Sequence, residues 1–183
     1  MSEQLNLFNF PESAEETYGI KARKLLELAK GRGCKCPLCD QFIKVYRRPI
    51  TGAMCVALIK IYQSYNRYKW QAGDETKSIH VEGLLKRCDV SSSCRGDFPK
   101  LRFWGLLEKE ESVREDGSKR NGHYRLTKDG RFFVRNIFTV KKYSIIYNDK
   151  FYGFEGEDVS IKDCLGRKFD YSKLMEASDA DGI

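Results

Sequence analysis

The chain has 183 residues, 41% of them hydrophobic and 13% aromatic, which suffices for a packed core and excludes a wholly disordered chain. Lys and Arg number 33 against 26 Asp and Glu, and the resulting formal charge of +7 favours a polyanionic partner. No apolar run reaches the ~20 residues of a bilayer span, and the polar N-terminus does not resemble a signal peptide. Because seven cysteines without an export signal are typical of a reducing compartment, we expect a cytoplasmic location in a bacterium or a phage-infected bacterial host.

The N-terminal quarter of the chain combines a tail, a helix and a cysteine hairpin. Residues 1–12 form a short tail with Pro11 near its end. Ser13 and Glu16 have the spacing of a capping box, which predicts a helix to about Lys30. A cysteine-rich turn follows, and residues 42–46 alternate apolar and polar side chains as a strand does. We therefore assign residues 13–50 to a helix plus a basic cysteine hairpin.

Residues 51–136 carry a succession of helix and strand patterns. Thr51 can cap a helix to about residue 68, and residues 79–87 predict a short strand end that leads into a second helix. After a turn at 91–96, a third short helix at 97–104 tolerates Pro99 in its first turn and ends at Gly105. Residues 106–113 and 123–126 predict two strands joined by a polar loop, and Thr127 caps a helix to residue 134.

The C-terminal extension, residues 137–176, predicts a β-hairpin and a helix. Residues 143–147 and 151–154 flank Asn148-Asp149-Lys150, which is a turn sequence. Ser160 can cap a helix that contains Cys164, and residues 169–175 form another apolar cluster. Residues 177–183 are acidic and predict a disordered tail.

The order helix, helix, turn, helix, strand, loop, strand, helix within residues 51–136 is that of a winged helix-turn-helix. The phrases KLRFWGLLEK and GHYRLTKDGRFFV resemble prokaryotic winged-helix regulators, in which the second commonly reads Tyr-x-Leu-Thr-x-x-Gly. Tyr124, Leu126, Thr127 and Gly130 fit that pattern. We therefore predict an α+β fold with a winged-helix core.

The resemblance implies that the third helix enters the major groove of duplex DNA and that the wing loop reaches phosphate or the minor groove. The basic residues placed to do so are Arg95, Lys100 and Arg102 on the helix, and Arg114, Lys119, Arg120 and Arg125 in the wing, with His123 beside them. The alternative is that the winged helix docks a protein and that its charged loop is simply solvated. We expect Phe98 and Phe103 to belong to the core rather than to stack on bases.

The turn Cys36-Pro-Leu-Cys39 is typical of zinc knuckles, in which two thiolates on a tight hairpin bind one tetrahedral ion. Cys34 could supply a third ligand. The fourth stays open among Cys55, Cys88, Cys94, His80 and His123. No second C-x-x-C is present, so a degenerate ribbon without metal is the alternative, and Cys55 is equally explained as a buried structural thiol.

Positive charge is concentrated around this hairpin. Between Ile20 and Arg48 nine basic residues face two acidic ones, a net +7 that equals the excess of the whole chain. Lys44, Arg47 and Arg48, with Tyr46 among them, predict a surface that binds a nucleic-acid backbone. A solvated charged face is the alternative.

The N-terminal peptide Gln4-Leu5-Asn6-Leu7-Phe8 resembles the motif Gln-Leu-Ser/Asp-Leu-Phe by which bacterial polymerases and repair proteins hold the replication sliding clamp. The resemblance implies that the Gln4 side chain hydrogen-bonds at one subsite while Leu5, Leu7 and Phe8 anchor in an apolar pocket. Only the middle position departs from the motif. The alternative is an apolar tail that packs on its own domain.

Enzyme motifs are absent from the sequence. It has no nucleotide-binding glycine loop, no H-E-x-x-H and no Gly-x-Ser-x-Gly, and its carboxylates are scattered. We therefore expect a protein that is not an enzyme.

The CPxC hairpin, the YRR strand, KLRFWGLLE and the terminal KFDYSKLM together resemble small uncharacterised phage proteins of the zinc-ribbon plus winged-helix type. Two hypotheses follow. The first is an accessory or regulatory protein that binds double-stranded DNA and is tethered to the sliding clamp. The second is a phage inhibitor that binds a host protein, such as the clamp or a transcription or defence complex, with the winged helix as its scaffold.

Overall fold

The computed structural model describes residues 27–36, 39–68, 78–111, 117 and 121–176. They form mixed α and β structure with small sheets, which confirms the predicted α+β class. The chain divides into two compact units. The first unit is Met1–Arg47 with Ile146–Lys150, and the second unit is Arg48–Ile145 with Phe151–Ile183. No helix within the described ranges is long and apolar enough to cross a membrane.

The described part of the first unit is a small antiparallel hairpin after a helical turn at residues 27–30. Strands β1 (Cys34–Lys35) and β2 (Phe42–Ile43) pair with Cys34 opposite Ile43. The prediction of one strand over residues 42–46 is wrong. Val45 donates its backbone N–H to the Ala29 carbonyl at 2.8 Å, which takes this part of the chain out of the β1–β2 ladder. A separate strand, β3 (Tyr46–Pro49), follows.

Helix α1 (Gly52–Arg67) is the centre of the second unit. As predicted, Thr51 caps it, because the Thr51 hydroxyl accepts the Met54 N–H. Leu58 and Ile61 are completely buried, as their helical spacing indicated. The Tyr65 hydroxyl, also buried, accepts the backbone N–H of Leu126 at 3.1 Å and ties the helix to a distant strand.

Three helical segments follow β4 (Ile79–His80): α2 (Val81–Arg87), α3 (Ser92–Asp97) and a 3-10 helix (Phe98–Trp104). The prediction of a turn at residues 91–96 is wrong, because α3 already begins at Ser92. Cys94 is buried in the core cluster, and that packing outweighs the turn preference of the serines and glycine around it. Gly105 ends the 3-10 helix as predicted, with φ of +69°.

A second hairpin completes this part of the fold. Strands β5 (Leu107–Lys109) and β6 (His123–Leu126) pair antiparallel, and β4 adds to the other side of β6, giving the order β4-β6-β5. Within the described residues β5 stops at Lys109, short of the predicted residue 113. Helix α4 (Lys128–Val134) begins at the Thr127 cap, whose hydroxyl accepts the Gly130 N–H at 2.9 Å.

The C-terminal extension packs on the same core. Strands β7 (Val140–Tyr147) and β8 (Lys150–Val159) form the predicted hairpin, longer than the sequence indicated, in a sheet of order β3-β7-β8. Helix α5 (Ile161–Leu165) has a capping box between Ser160 and Asp163, and α6 (Tyr171–Glu176) follows. Ile161 is fully buried in the core cluster, and the Tyr171 hydroxyl donates to the Val134 carbonyl at 2.9 Å.

Candidate nucleic-acid interface

The three basic residues predicted on the third helix are all half-buried and all engaged within the chain. Arg95 donates to the Val90 carbonyl at 2.8 Å, and Lys100 forms an ion pair with Asp97. The Arg102 guanidinium lies 4.7 Å from the centre of the Phe103 ring. Because α3 begins earlier than predicted, it also includes Ser92, Ser93 and Gly96, which are exposed.

Of the basic residues predicted to contact DNA from the wing, Arg125 on β6 is the one that lies within the described residues. It lies opposite Glu108 of β5, and the two side chains form an ion pair at 3.5 Å in which Arg125 is 22% exposed and Glu108 60%. The predicted contacts Arg114, Lys119 and Arg120 lie outside the described residues. Residues 107–126 contain five basic and five acidic residues, so the predicted wing has no net charge. Any attraction to phosphate at the wing therefore depends on where its charges lie, not on their sum.

The structure brings Arg102 and Arg125 together at one cavity of about 530 Å³. Their neighbours in its lining are Phe103, Leu107, Glu108, Lys109, Glu111 and Phe151. Lys109 and Phe151 were not predicted as site residues. Lys109 sits in a strand among acidic residues. Phe151 belongs to the C-terminal hairpin, so nothing in its local pattern could have placed it beside the wing.

Phe98 and Phe103 behave as predicted for core residues. Phe98 is buried and meets Tyr124 edge-on, with ring centres 5.1 Å apart. Phe103 is partly buried against the core cluster, and its remaining exposed part lines the cavity. The sequence therefore assigned both rings correctly but did not indicate that Phe103 also faces a cavity.

The two histidines meet at the edge of the wing. His80 and His123 are paired across β4 and β6, and their ring centres are 5.2 Å apart. His80 caps helix α2, because its Nδ1 atom accepts the Gly83 N–H at 3.2 Å. A histidine is not among the usual capping residues, so this role was not predicted.

The cysteine hairpin turns tightly. Cys36 donates its N–H to the Gln41 carbonyl at 2.8 Å, and its own carbonyl accepts the Asp40 N–H at 2.9 Å, with Asp40 at φ of +56°. Cys34 and Cys36 are half-buried and Cys39 is exposed. Within the described part of the chain, no three His, Cys, Asp or Glu side chains converge on a point where a metal ion would fit. Zinc binding by Cys34, Cys36 and Cys39 stays a prediction.

A different pair of cysteines is in contact. The Cys55 thiol on α1 and the Cys164 thiol on α5 are hydrogen-bonded to each other. That bond, aided by burial, raises the pKa of Cys55 well above its ordinary value. It lowers the pKa of Cys164, helped by the Lys142 ammonium and opposed by burial and by the Asp163 carboxylate. Cys55, one of the open choices for a fourth zinc ligand, is buried in the core.

The predicted backbone-binding surface near the hairpin is divided between the units. Lys44 and Arg47 belong to the first unit, where the Lys44 ammonium lies 5.7 Å from the centre of the Tyr46 ring. Arg48 is the first residue of the second unit. Arg47 and Arg48 are both exposed.

The clamp hypothesis concerns four residues of the N-terminal peptide. Gln4, Leu5, Leu7 and Phe8 lie outside the described residues, so this hypothesis depends on the residue pattern alone.

The chain matches no protein-family model, and no curated protein or solved structure is significantly similar to it.

Proposed function

We propose that the second unit binds double-stranded DNA as a winged helix-turn-helix, within an accessory or regulatory protein tethered to the bacterial replication sliding clamp. The observation that carries the proposal is the sheet order β4-β6-β5, with helices α2 and α3 between β4 and β5 along the chain. In that order the short strand before the second helix pairs with the returning strand of the wing, as Ile79 does with Tyr124. A winged helix is expected to pair its strands in this way, so the pairing supports the proposal.

The charges of the described residues support a modest phosphate-binding role for this face. Arg102 and Arg125 line one cavity with Lys109, and Arg95 and Lys100 lie seven and two residues before Arg102 along the helical segment. Each of the two arginines already has a contact within the chain. A phosphate must therefore displace that contact or bind the arginine beside it. We therefore expect moderate affinity at physiological salt, dominated by a few charge contacts.

The decisive measurement is the fluorescence anisotropy of labelled duplex DNA over a range of salt concentrations. We expect the binding constant to fall steeply as salt rises, because each neutralised phosphate releases about one counterion. Arg102→Ala should weaken binding and reduce the salt slope by about one, whereas the matched control Arg135→Ala, at an exposed arginine after α4, should do neither. Salt-independent binding, or equal effects of the two variants, would contradict the proposal.

The tether to the clamp has its own test. We expect purified sliding clamp to retain the wild-type protein and to lose the double variant Leu5→Ala/Phe8→Ala, because the motif places both side chains in an apolar pocket. The substitutions leave the DNA-binding residues intact, so duplex affinity serves as the control for folding. Equal retention of both proteins would remove the clamp from the proposal.

Zinc in the cysteine hairpin is a further part of the proposal. Metal analysis of the purified protein should give about one zinc per chain, and Cys36→Ser should lose it, if the hairpin is a ribbon. A matched variant, Cys164→Ser, should keep the metal because Cys164 is paired with Cys55 in the other unit. A metal-free wild-type protein would favour the degenerate ribbon.

The second candidate function is a phage inhibitor that docks a host protein. It is favoured by the engagement of Arg95 with Val90 and of Lys100 with Asp97, which leaves the third helix less free to contact DNA. This alternative predicts negligible duplex binding together with a stoichiometric complex in an affinity purification from host extract.

A further inference from the structure

We propose that the cavity beside the wing holds an unstacked base from a single strand of DNA, so that the second unit prefers a duplex with a single-stranded overhang to a blunt duplex. This inference rests on the proposed function, because it takes the duplex to be held by the adjoining third helix and wing. It adds a site, defined here as the base cavity, whose walls are the 3-10 helix, β5, β6 and Phe151 of β8.

The volume of the base cavity fits a small organic group. Its volume of about 530 Å³ lies within the range of roughly 300–1,000 Å³ that is usual for small-ligand pockets. Its lining combines apolar side chains, among them the buried Leu107 and the half-buried Phe103, with charged side chains. Apolar side chains together with a few polar groups are the usual lining of a small-ligand site.

Two exposed aromatic rings mark one side of the cavity. Phe151, which lines it, is 44% exposed, and Phe154, 45% exposed, lies beside Phe151 with ring centres 4.6 Å apart. Large apolar rings exposed together are uncommon on a protein surface and mark interaction sites. Successive bases of a single strand stack on such rings, whatever the base, because every base has a π-face.

The charges of the cavity indicate which ligand it suits. Three basic residues, Arg102, Lys109 and Arg125, line it together with two acidic ones, Glu108 and Glu111, for a net charge of +1. A site for a free nucleoside triphosphate would need much more positive charge. A base within a strand brings one phosphate, which matches a single excess cation.

The position of Arg102 links the cavity to the duplex site. Its guanidinium lies 4.7 Å from the centre of the Phe103 ring, so it presents a flat cation at the edge of the cavity. Arg102 and Arg125 are also among the residues predicted to contact duplex DNA. A base in the cavity would therefore come from the strand that continues past the duplex, at a junction of double and single strand.

The experiment compares a blunt duplex with the same duplex carrying a short overhang, using anisotropy for affinity and 2-aminopurine in the overhang for stacking. We expect the overhang to raise affinity about five- to hundredfold, the range for one stacked base, and the 2-aminopurine fluorescence to be quenched on binding. Phe151→Ala should remove both effects and leave blunt-duplex affinity unchanged. Tyr152→Ala is the matched control, since Tyr152 is 61% exposed on the same strand and does not line the cavity.

The outcomes separate this inference from the function on which it rests. Equal affinity for both DNAs, or a preference for the overhang that survives Phe151→Ala, would overturn the base cavity and leave duplex binding standing. Binding of a single strand alone, sensitive to Phe151→Ala, would support the cavity and overturn the duplex proposal. Failure to bind either DNA would overturn both. Because Phe151 is far from fully buried, its variant should keep the wild-type melting temperature, which a thermal scan verifies.

Discussion

In the first unit, Ala29 and Ile146 are the only buried side chains among the described residues, and strands β1 and β2 have two residues each. In the second unit, helix α1 by itself contributes several completely buried side chains. The β5–β6 hairpin and the C-terminal helix α5 pack into the same core cluster. Apolar burial is the main source of folding free energy. Buried apolar side chains therefore stabilise the second unit. The described part of the first unit has few buried side chains, carries exposed charges and is held mainly by backbone hydrogen bonds.

The difference indicates where function and stability are coupled. In the second unit the base cavity shares its walls with the core, because Leu107 is buried in the cluster and Phe103 packs against it. A change at Leu107 or Phe103 therefore risks the fold. In the first unit, Lys44 follows β2 and Arg47 lies on β3, and neither strand has a buried side chain, so the charge of these residues can be altered with little structural cost.

The largest expected effect tests this difference directly. Leu58→Ala, at a completely buried position on α1, should lower the free energy of unfolding by about 2–5 kcal/mol through lost burial and a residual cavity. Phe42→Ala in β2, where the ring is 62% exposed, should change it by no more than about 0.5 kcal/mol. Urea unfolding followed by circular dichroism measures both. If Phe42→Ala lost as much as Leu58→Ala, the contrast between the units would not hold.

A second test concerns close packing of the backbone. At Gly130 an added Cβ would lie 2.2 Å from the Leu106 carbonyl oxygen, so Gly130→Ala must shift backbone and should cost about 1–3 kcal/mol. Gly31 in the first unit has only ordinary contacts, at 3.5 Å or more, and Gly96 on α3 faces open space. Gly31→Ala and Gly96→Ala are therefore the tolerated controls in the two units. A wild-type melting temperature for Gly130→Ala would show that the contact is not tight in solution.

Local signals in the sequence located most of the second unit. Thr51, Thr127 and Ser160 each stand before a periodic apolar run, and each caps the helix predicted from it. Such signals lie within a few residues of the element that they specify, so no knowledge of the rest of the fold is needed. The turn at Asn148-Asp149 was also predicted from local sequence. Both residues adopt the positive φ that this hairpin requires, which Asn and Asp tolerate.

The errors arose where tertiary contacts outweigh local preference. Ser91 to Gly96 has the composition of a turn, but burial of Cys94 draws this stretch into α3. The site was predictable only in part, because Arg102 and Arg125 follow from the wing pattern but Phe151 comes from another hairpin. The pair Cys55 and Cys164 is separated by more than a hundred residues, so no spacing rule could have joined its thiols.

A smaller loss of stability is expected at the N-terminus of α2, which one side chain, that of His80, caps. His80→Ala removes the acceptor for the Gly83 N–H and should cost about 1 kcal/mol, while His80→Asn, which restores a capping acceptor, should recover most of the loss. His123→Ala is the control, because His123 lies beside His80 but does not cap the helix. Thermal unfolding gives the comparison. An equal loss for His80→Ala and His80→Asn would assign the effect to ring packing instead of the cap.

The smallest expected effect is on the reactivity of one cysteine thiol, and it compares Cys164 of the second unit with Cys39 of the first. Because the hydrogen bond from Cys55 lowers the pKa of the Cys164 thiol, Cys164 should form thiolate, the reactive species, at lower pH in the wild type than in Cys55→Ala. Pulsed iodoacetamide labelling over a pH series, read by mass spectrometry, should show the Cys164 profile moving to higher pH in that variant. Cys39, exposed in the other unit, should keep its own profile in both proteins. If the two Cys164 profiles coincided, the thiol pair would not control its reactivity, and Lys142, the other group that lowers its pKa, would be the next residue to replace.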